Sequence, residues 1–273
     1  MSSRDEAQAA ADEYRRLIEE AALAPEALPS DAFFGDAAER EVDAGNTAAS
    51  HARPGINELQ DERAAQDQAD RAPLPIGVLL SGSGTNLQAL IDAIDAGELN
   101  AEIKLVVASR PSAYGLKRAE AVGIQTLTLS KETYADPIQA DEVIAHELLA
   151  AGCEYVIMAG YMRMVHAPLL VTFPDRVINI HPALLPSFQG ARGIQDAFDR
   201  GVKVTGVTVH IANAVYDMGP IIAQRALVVE EGWDVDTLEE HIHAIEHVLY
   251  PEVVQMLADG RVHVRENLTV EVR

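Results

Sequence analysis

Asn179 and His181 stand two residues apart in the run Val177-Ile-Asn-Ile-His-Pro-Ala-Leu-Leu-Pro186, and their types suit work on a carbonyl group. An amide N–H stabilises a developing oxyanion; an imidazole does the same when protonated, or serves as general acid. Asp217, in the loop Asn213-Ala-Val-Tyr-Asp-Met-Gly-Pro220, supplies a carboxylate that can hold the imidazole and raise its pKa. No serine or cysteine stands beside His181 as a nucleophile, so direct attack by a substrate amine is expected rather than an acyl-enzyme. Asparagine and histidine at a strand end are more often structural, so spacing alone leaves both readings open.

The elements that must position these groups follow from periodicity. Alternate residues of a strand share a face, so Asn179 and His181 point one way while Ile178 and Ile180 turn into the core. Pro182 cannot donate to a sheet ladder and Pro186 closes the segment, which sets both side chains at a strand's carboxyl end, where open α/β sheets bind ligands. From Pro75 onward, short β-branched runs alternate with helical patterns, the signature of βαβ units and a mostly parallel sheet. Strands are expected at 76–80, 103–109, 125–129 and 155–159, with helices at 87–96, 113–122 and 136–151. Segments 204–211 and 221–229 read as a pair of strands that presents Asp217 at its bend, and a long helix is expected over 236–258.

The first strand runs into Ser81-Gly-Ser-Gly-Thr-Asn86 and then a helix. Glycines permit a tight turn and close approach to a ligand, and the free N–H groups of a helix start attract an anion. A tight turn without a ligand is the plainer alternative. A dinucleotide fingerprint would need a third small residue and an acidic end to the second strand, where Arg110 stands, and the Gly-Lys-Ser/Thr of a triphosphate loop is absent. A single phosphomonoester fits better. The loop Gly160-Tyr-Met-Arg-Met-Val165, again at a strand's carboxyl end, could line a pocket for a flat heterocycle. His243 and His247 are four apart on the last helix but have no third ligand at fitting spacing, so no metal is expected, and Glu246 is left free to reach a ligand.

A net charge of -22 over 273 residues disfavours nucleic acid and anionic membranes as partners. The single cysteine, Cys153, reads as a buried structural thiol and suits a reducing compartment. Without an apolar leader or spanning stretch, a cytoplasmic protein is expected. Residues 1–72 are rich in Ala, Glu, Asp and Gln and look appended: an acidic extension, partly helical over about Asp5–Leu23 or disordered, ahead of a catalytic domain at 73–273.

Five motifs in order, Ser81-Gly-Ser-Gly-Thr-Asn86, Gly160-Tyr-Met-Arg-Met164, Val177-Ile-Asn-Ile-His-Pro-Ala-Leu-Leu-Pro186, Tyr216-Asp-Met-Gly-Pro220 and Glu246-His-Val-Leu-Tyr-Pro251, resemble the folate-dependent phosphoribosylglycinamide formyltransferases of purine synthesis. The resemblance implies an α/β fold with a Rossmann-like, mostly parallel twisted sheet and helices on both faces. It implies 10-formyltetrahydrofolate as co-substrate, glycinamide ribonucleotide as acceptor and no metal. Carried over by motif, Gly84, Thr85 and Asn86 would hold the ribose phosphate and Glu246 the ribose. Met162, Arg163, Met164 and Val165, with Asn179, would bind the folate, and Asn179, His181 and Asp217 would be catalytic. The partners so implied are small molecules, and a homodimer stays open.

The pattern departs from that family at two places. Many members carry a cofactor-contacting arginine near Pro137, and none aligns here; Arg192 stands where a histidine is common. Gly190-Ala-Arg192 resembles the related formyltetrahydrofolate deformylase, a hydrolase, which is the alternative reading. Its usual amino-terminal sensing domain of alternating strands and helices has no counterpart in residues 1–72. A catalytically silent ligand-binding protein of the same fold is the remaining, non-enzymatic alternative.

Overall fold

The computed structural model describes residues 71–265 and 269–273; the helix expected over Asp5–Leu23 and the rest of the extension to residue 70 lie outside the described residues. Nine strands and six α-helices follow: β1 Leu74–Leu80, α1 Thr85–Asp95, β2 Ala101–Ala108, α2 Gly115–Ala121, β3 Thr126–Thr128, α3 Pro137–Ala150, β4 Tyr155–Met158, α4 Ala167–Thr172, β5 Val177–His181, α5 Gly193–Arg200, β6 Val204–Ile211, β7 Ile221–Val228, α6 Val235–Ala258, β8 Val262–Val264 and β9 Val270–Val272. The short α4 and the β8–β9 pair were not anticipated, because neither carries enough periodic residues to announce itself. The other expected elements of residues 75–258 are present within a few residues of their expected bounds.

Seven strands form one sheet in the order β3-β2-β1-β4-β5-β6-β7. The first five run parallel, whereas β6 pairs antiparallel with β5 and with β7. The chain builds outward from β1 to β3 and then returns to the other side of β1 to form β4. The connections leaving β1 and β4 therefore diverge and open a crevice at the carboxyl edge, the place where such sheets bind ligands. The crevice lies beside β5 and its two polar residues.

The central parallel strands β1 and β4 are buried on both faces, as such sheets require. Ile76, Val78 and Leu80 of β1 pack with α1, α2 and α6 through Leu87, Leu90, Leu116, Ile242 and Leu249. Leu79 turns to the other layer, with Ile144 and Leu148 of α3 and Leu169 of α4. Gly77 lies where a Cβ would collide with Leu148, so a side chain is excluded where helix meets sheet. Tyr250 of α6 is wholly buried and its hydroxyl lies 3.0 Å from the Met158 carbonyl and 2.9 Å from that of Ile178, which pins the long helix to the ends of β4 and β5. Cys153 is buried as expected, and burial pushes its thiol up to about 11, away from thiolate chemistry.

Candidate active site

Strand β5 ends at His181, and Ile178 and Ile180 enter the core as their period demands. Asn179 and His181 occupy the other face at the carboxyl end. Across the antiparallel register, Asn179 faces His210 and His181 faces Thr208. The Thr208 hydroxyl donates to the Ala183 carbonyl at 2.7 Å and accepts from the Leu185 N–H at 3.0 Å, while Gln224 Nε2 lies 2.9 Å from the Leu185 carbonyl. The turn that follows the histidine is thereby fastened to β6 and β7.

Asp217 sits at the bend between β6 and β7 with φ 55, in the left-handed region that an aspartate tolerates better than most side chains. Its side chain is buried among named partners. Oδ2 lies 3.4 Å from His181 Nδ1 and accepts the Gly190 N–H at 2.8 Å, and Oδ1 lies 3.6 Å from His210 Nε2. Burial by itself would raise the Asp217 carboxyl, but the Gly190 N–H and the neighbouring His181 hold it below the ordinary value.

His181 Nε2 lies 2.8 Å from the Phe188 carbonyl. A carbonyl only accepts, so this nitrogen carries a proton, and Nδ1 is the one that faces Asp217. Burial lowers the pKa of His181, and the opposing pull of the Asp217 carboxylate does not overcome it. Asp217 does pull the imidazole upward, as expected, and desolvation of the charged ring is the larger effect.

At the start of α1, Gly84 takes a left-handed conformation with φ 70 as the N-cap, and the first turn of the helix holds no acidic residue. Its N–H groups open into a cleft of about 460 Å³ that gathers Gly84, Thr85, Asn86, Met162, Arg192 and Glu246. Glu246 lines the cleft and is tied to the start of α1. Its Oε2 accepts from Asn86 Nδ2 at 2.9 Å, it is 5% exposed, and burial raises its pKa against the opposing pull of Asn86. Asn86 Oδ1 is left buried without a hydrogen-bond partner among the described residues.

A narrower space beside this cleft holds Arg163, Met164, Val165, Asn179, His210 and Asp217. At about 30 Å³ it admits a water molecule and not a bicyclic ring, so a heterocycle requires the surrounding loops to part. Met162 is 68% exposed at the mouth, while Val165 packs mainly into the core beneath. The Arg163 guanidinium stacks 4.0 Å from the centre of the Tyr134 ring. Pro137 opens α3 behind the cap formed by Asp136, which accepts from the Ile138 and Gln139 N–H groups. Arg192 reaches Asp196 at 3.6 Å and Asp199 at 3.7 Å, both loose contacts of exposed groups.

His210, Thr208, Gln224 and Phe188 were not singled out from the sequence. The alternation of Val204–Ile211 does put Thr208 and His210 on one polar face, but only strand register sets that face against Asn179 and His181. His243 and His247 stack with ring centres 6.3 Å apart, and among the described residues no cluster of His, Cys, Asp and Glu has the makings of a metal site. Nor is any described helix long and apolar enough to cross a membrane.

Comparison with known proteins agrees with this geometry. Residues 75–254 match the family described as Formyl transferase. The chain is 37% identical over 180 residues to the phosphoribosylglycinamide formyltransferase of Bacillus subtilis, covering 66% of this chain and 92% of that one. It is 38% identical over 192 residues to the human trifunctional purine biosynthetic protein adenosine-3, covering 70% of this chain but 19% of that protein. It thus spans about a fifth of the length of the trifunctional relatives. The crystal structure of glycinamide ribonucleotide transformylase 1 from Symbiobacterium toebii superposes with a TM-score of 0.71 at 42% identity, over 74% of this chain and 94% of that one. With two thirds of its length matched and the sheet order to go with it, the chain belongs to the formyl transferase family.

Proposed function

We propose that the protein transfers the formyl group of 10-formyltetrahydrofolate to the amine of N1-(5-phosphoribosyl)glycinamide, a step of purine synthesis, and that residues 73–273 form the domain responsible. The observation that carries this reading is a cleft holding a phosphate-type helix start and the buried Glu246, beside a narrower space lined by Asn179 and Asp217, with His181 Nδ1 3.4 Å from the Asp217 carboxylate. The activities in the names of the relatives from Bacillus subtilis and Symbiobacterium toebii support it.

The residues divide the work as follows. Gly84, Thr85 and Asn86 hold the phosphate through N–H groups at the start of α1, and Glu246 with Asn86 takes ribose hydroxyls. The methionine-bearing loop from Met162 to Val165 and the loop carrying Asp217 part to admit the folate ring, whose formyl group the reaction consumes. The substrate amine attacks the formyl carbon. Asn179 Nδ2–H stabilises the oxygen as it gains charge, His181 adds its Nε2–H to that oxygen on exchanging the Phe188 carbonyl for the substrate, and Asp217 keeps the imidazole oriented while the proton lost by the amine passes toward the departing folate nitrogen.

The test follows folate absorbance with 10-formyltetrahydrofolate in the presence and absence of glycinamide ribonucleotide. Consumption that depends on the ribonucleotide is expected. Equal rates in both tubes would make the protein a hydrolase, and no change in either would leave a binding protein.

A further inference from the structure

His210 lies outside the trio assigned above, yet it touches two of its members. The residue is 2% exposed and faces Asn179 across the β5–β6 register. Its Nδ1 lies 3.1 Å from the carbonyl oxygen of the neighbouring Ile211. That oxygen only accepts, so Nδ1 carries the proton, and in the neutral ring Nε2 presents its lone pair. Two groups stand near that lone pair. Asp217 Oδ1, an acceptor, is 3.6 Å away, beyond hydrogen-bond reach, whereas the Asn179 amide is at 3.1 Å. The amide end that suits a lone pair is the NH₂. The opposite amide orientation would set Oδ1 against Nε2, two acceptors in a dry sheet, and leave a buried group unsatisfied.

We propose that His210 is a positioning residue that locks the Asn179 amide, holding one Nδ2–H within the sheet so that the other is aimed at the formyl oxygen. An asparagine alone turns about its last torsion and offers carbonyl or NH₂ with little preference. A fixed donor loses no time and no energy in reorientation as charge develops, which is where such groups contribute most. The backbone keeps the lock in register. Gly219 packs so tightly on Ile211 that a Cβ there would overlap the Ile211 carbonyl oxygen, the anchor of His210 Nδ1.

The inference rests on the formyl-transfer reading, so its first test does not use activity. In the full chain labelled with ¹⁵N-histidine, the His210 resonances are assigned among the nine histidines by their loss in His210→Gln. The expected pattern is a protonated Nδ1 and an unprotonated Nε2. A proton on Nε2, alone or together with one on Nδ1, overturns the lock whatever the protein catalyses. The second test is kinetic. His210→Ala should lower kcat about tenfold to a hundredfold, short of the loss on deleting an oxyanion donor outright, with KM for both substrates unchanged. In His210→Gln the Oε1 atom can occupy the place of Nε2 as acceptor, and part of kcat should return. Equal losses in the two variants, or an effect on KM with kcat intact, would overturn it.

Discussion

Asn86 Nδ2 donates to Glu246 Oε2 at 2.9 Å across 160 residues of chain, joining the first turn of α1 to the middle of α6. The bond closes one wall of the crevice and leaves Asn86 Oδ1 as an unsatisfied acceptor beside it. A carboxyl group and an amide from opposite ends of the domain's sequence thus share one wall of the crevice.

Glu246→Ala removes the charged member. KM for the ribonucleotide should rise about tenfold, the scale of one hydrogen bond to a charged group, with kcat less affected. Initial rates at varied ribonucleotide concentration decide the matter, and an unchanged KM would count against a ligand contact. Because Asn86 Nδ2 also loses its partner in a buried setting, the urea midpoint should fall by the equivalent of roughly 1–3 kcal/mol.

Asp217→Asn keeps the shape of the bend but removes the charge that faces His181 and His210. Turnover should drop by roughly two or more orders of magnitude, the scale of lost acid–base function. Near-normal turnover would sink the assigned role of Asp217.

The buried His181 makes stability depend on pH in one direction. Its pKa in the folded protein is below the ordinary 6.5 because burial opposes the charged ring. The unfolded chain therefore binds the proton more readily, so the contribution of this residue to stability is whole above 6.5 and is lost as pH falls from there through the folded value. His181→Asn should flatten that part of a plot of urea midpoint against pH, and matching slopes in the two proteins would contradict the assignment.

Gly219→Ala tests the tightest backbone approach near the site, where a Cβ would overlap the Ile211 carbonyl oxygen. Backbone must shift to admit it. A destabilisation of roughly 1–3 kcal/mol is expected in urea unfolding, accompanied by lower activity. A variant as stable as the parent would show that the bend is slacker than its geometry implies.

Local pattern was enough for the strands and helices of residues 75–258 and for the placement of Asn179 and His181 on one face at a strand's carboxyl end. Period two, proline and glycine act over neighbouring residues, so no distant contact is needed to read them. The glycine turn into a helix start is legible for the same reason: Gly84 and the helix after it are adjacent in the chain. The short β8 and β9, each of three residues, escape such reading because their pairing with one another is what defines them.

Tertiary structure decided the rest. The sequence shows Glu246 as a carboxylate on a helix face, and only the packing of α6 on α1 makes it the partner of Asn86. His210 is one histidine among nine until the β5–β6 register sets it opposite Asn179. The downward shift of His181, against the pull of Asp217, depends on how completely the surrounding loops exclude water. Periodicity tells which way a side chain faces from its own strand; what stands opposite, and how dry the space between them is, depends on residues tens to hundreds of positions away, which meet only once the sheet and its covering helices have closed.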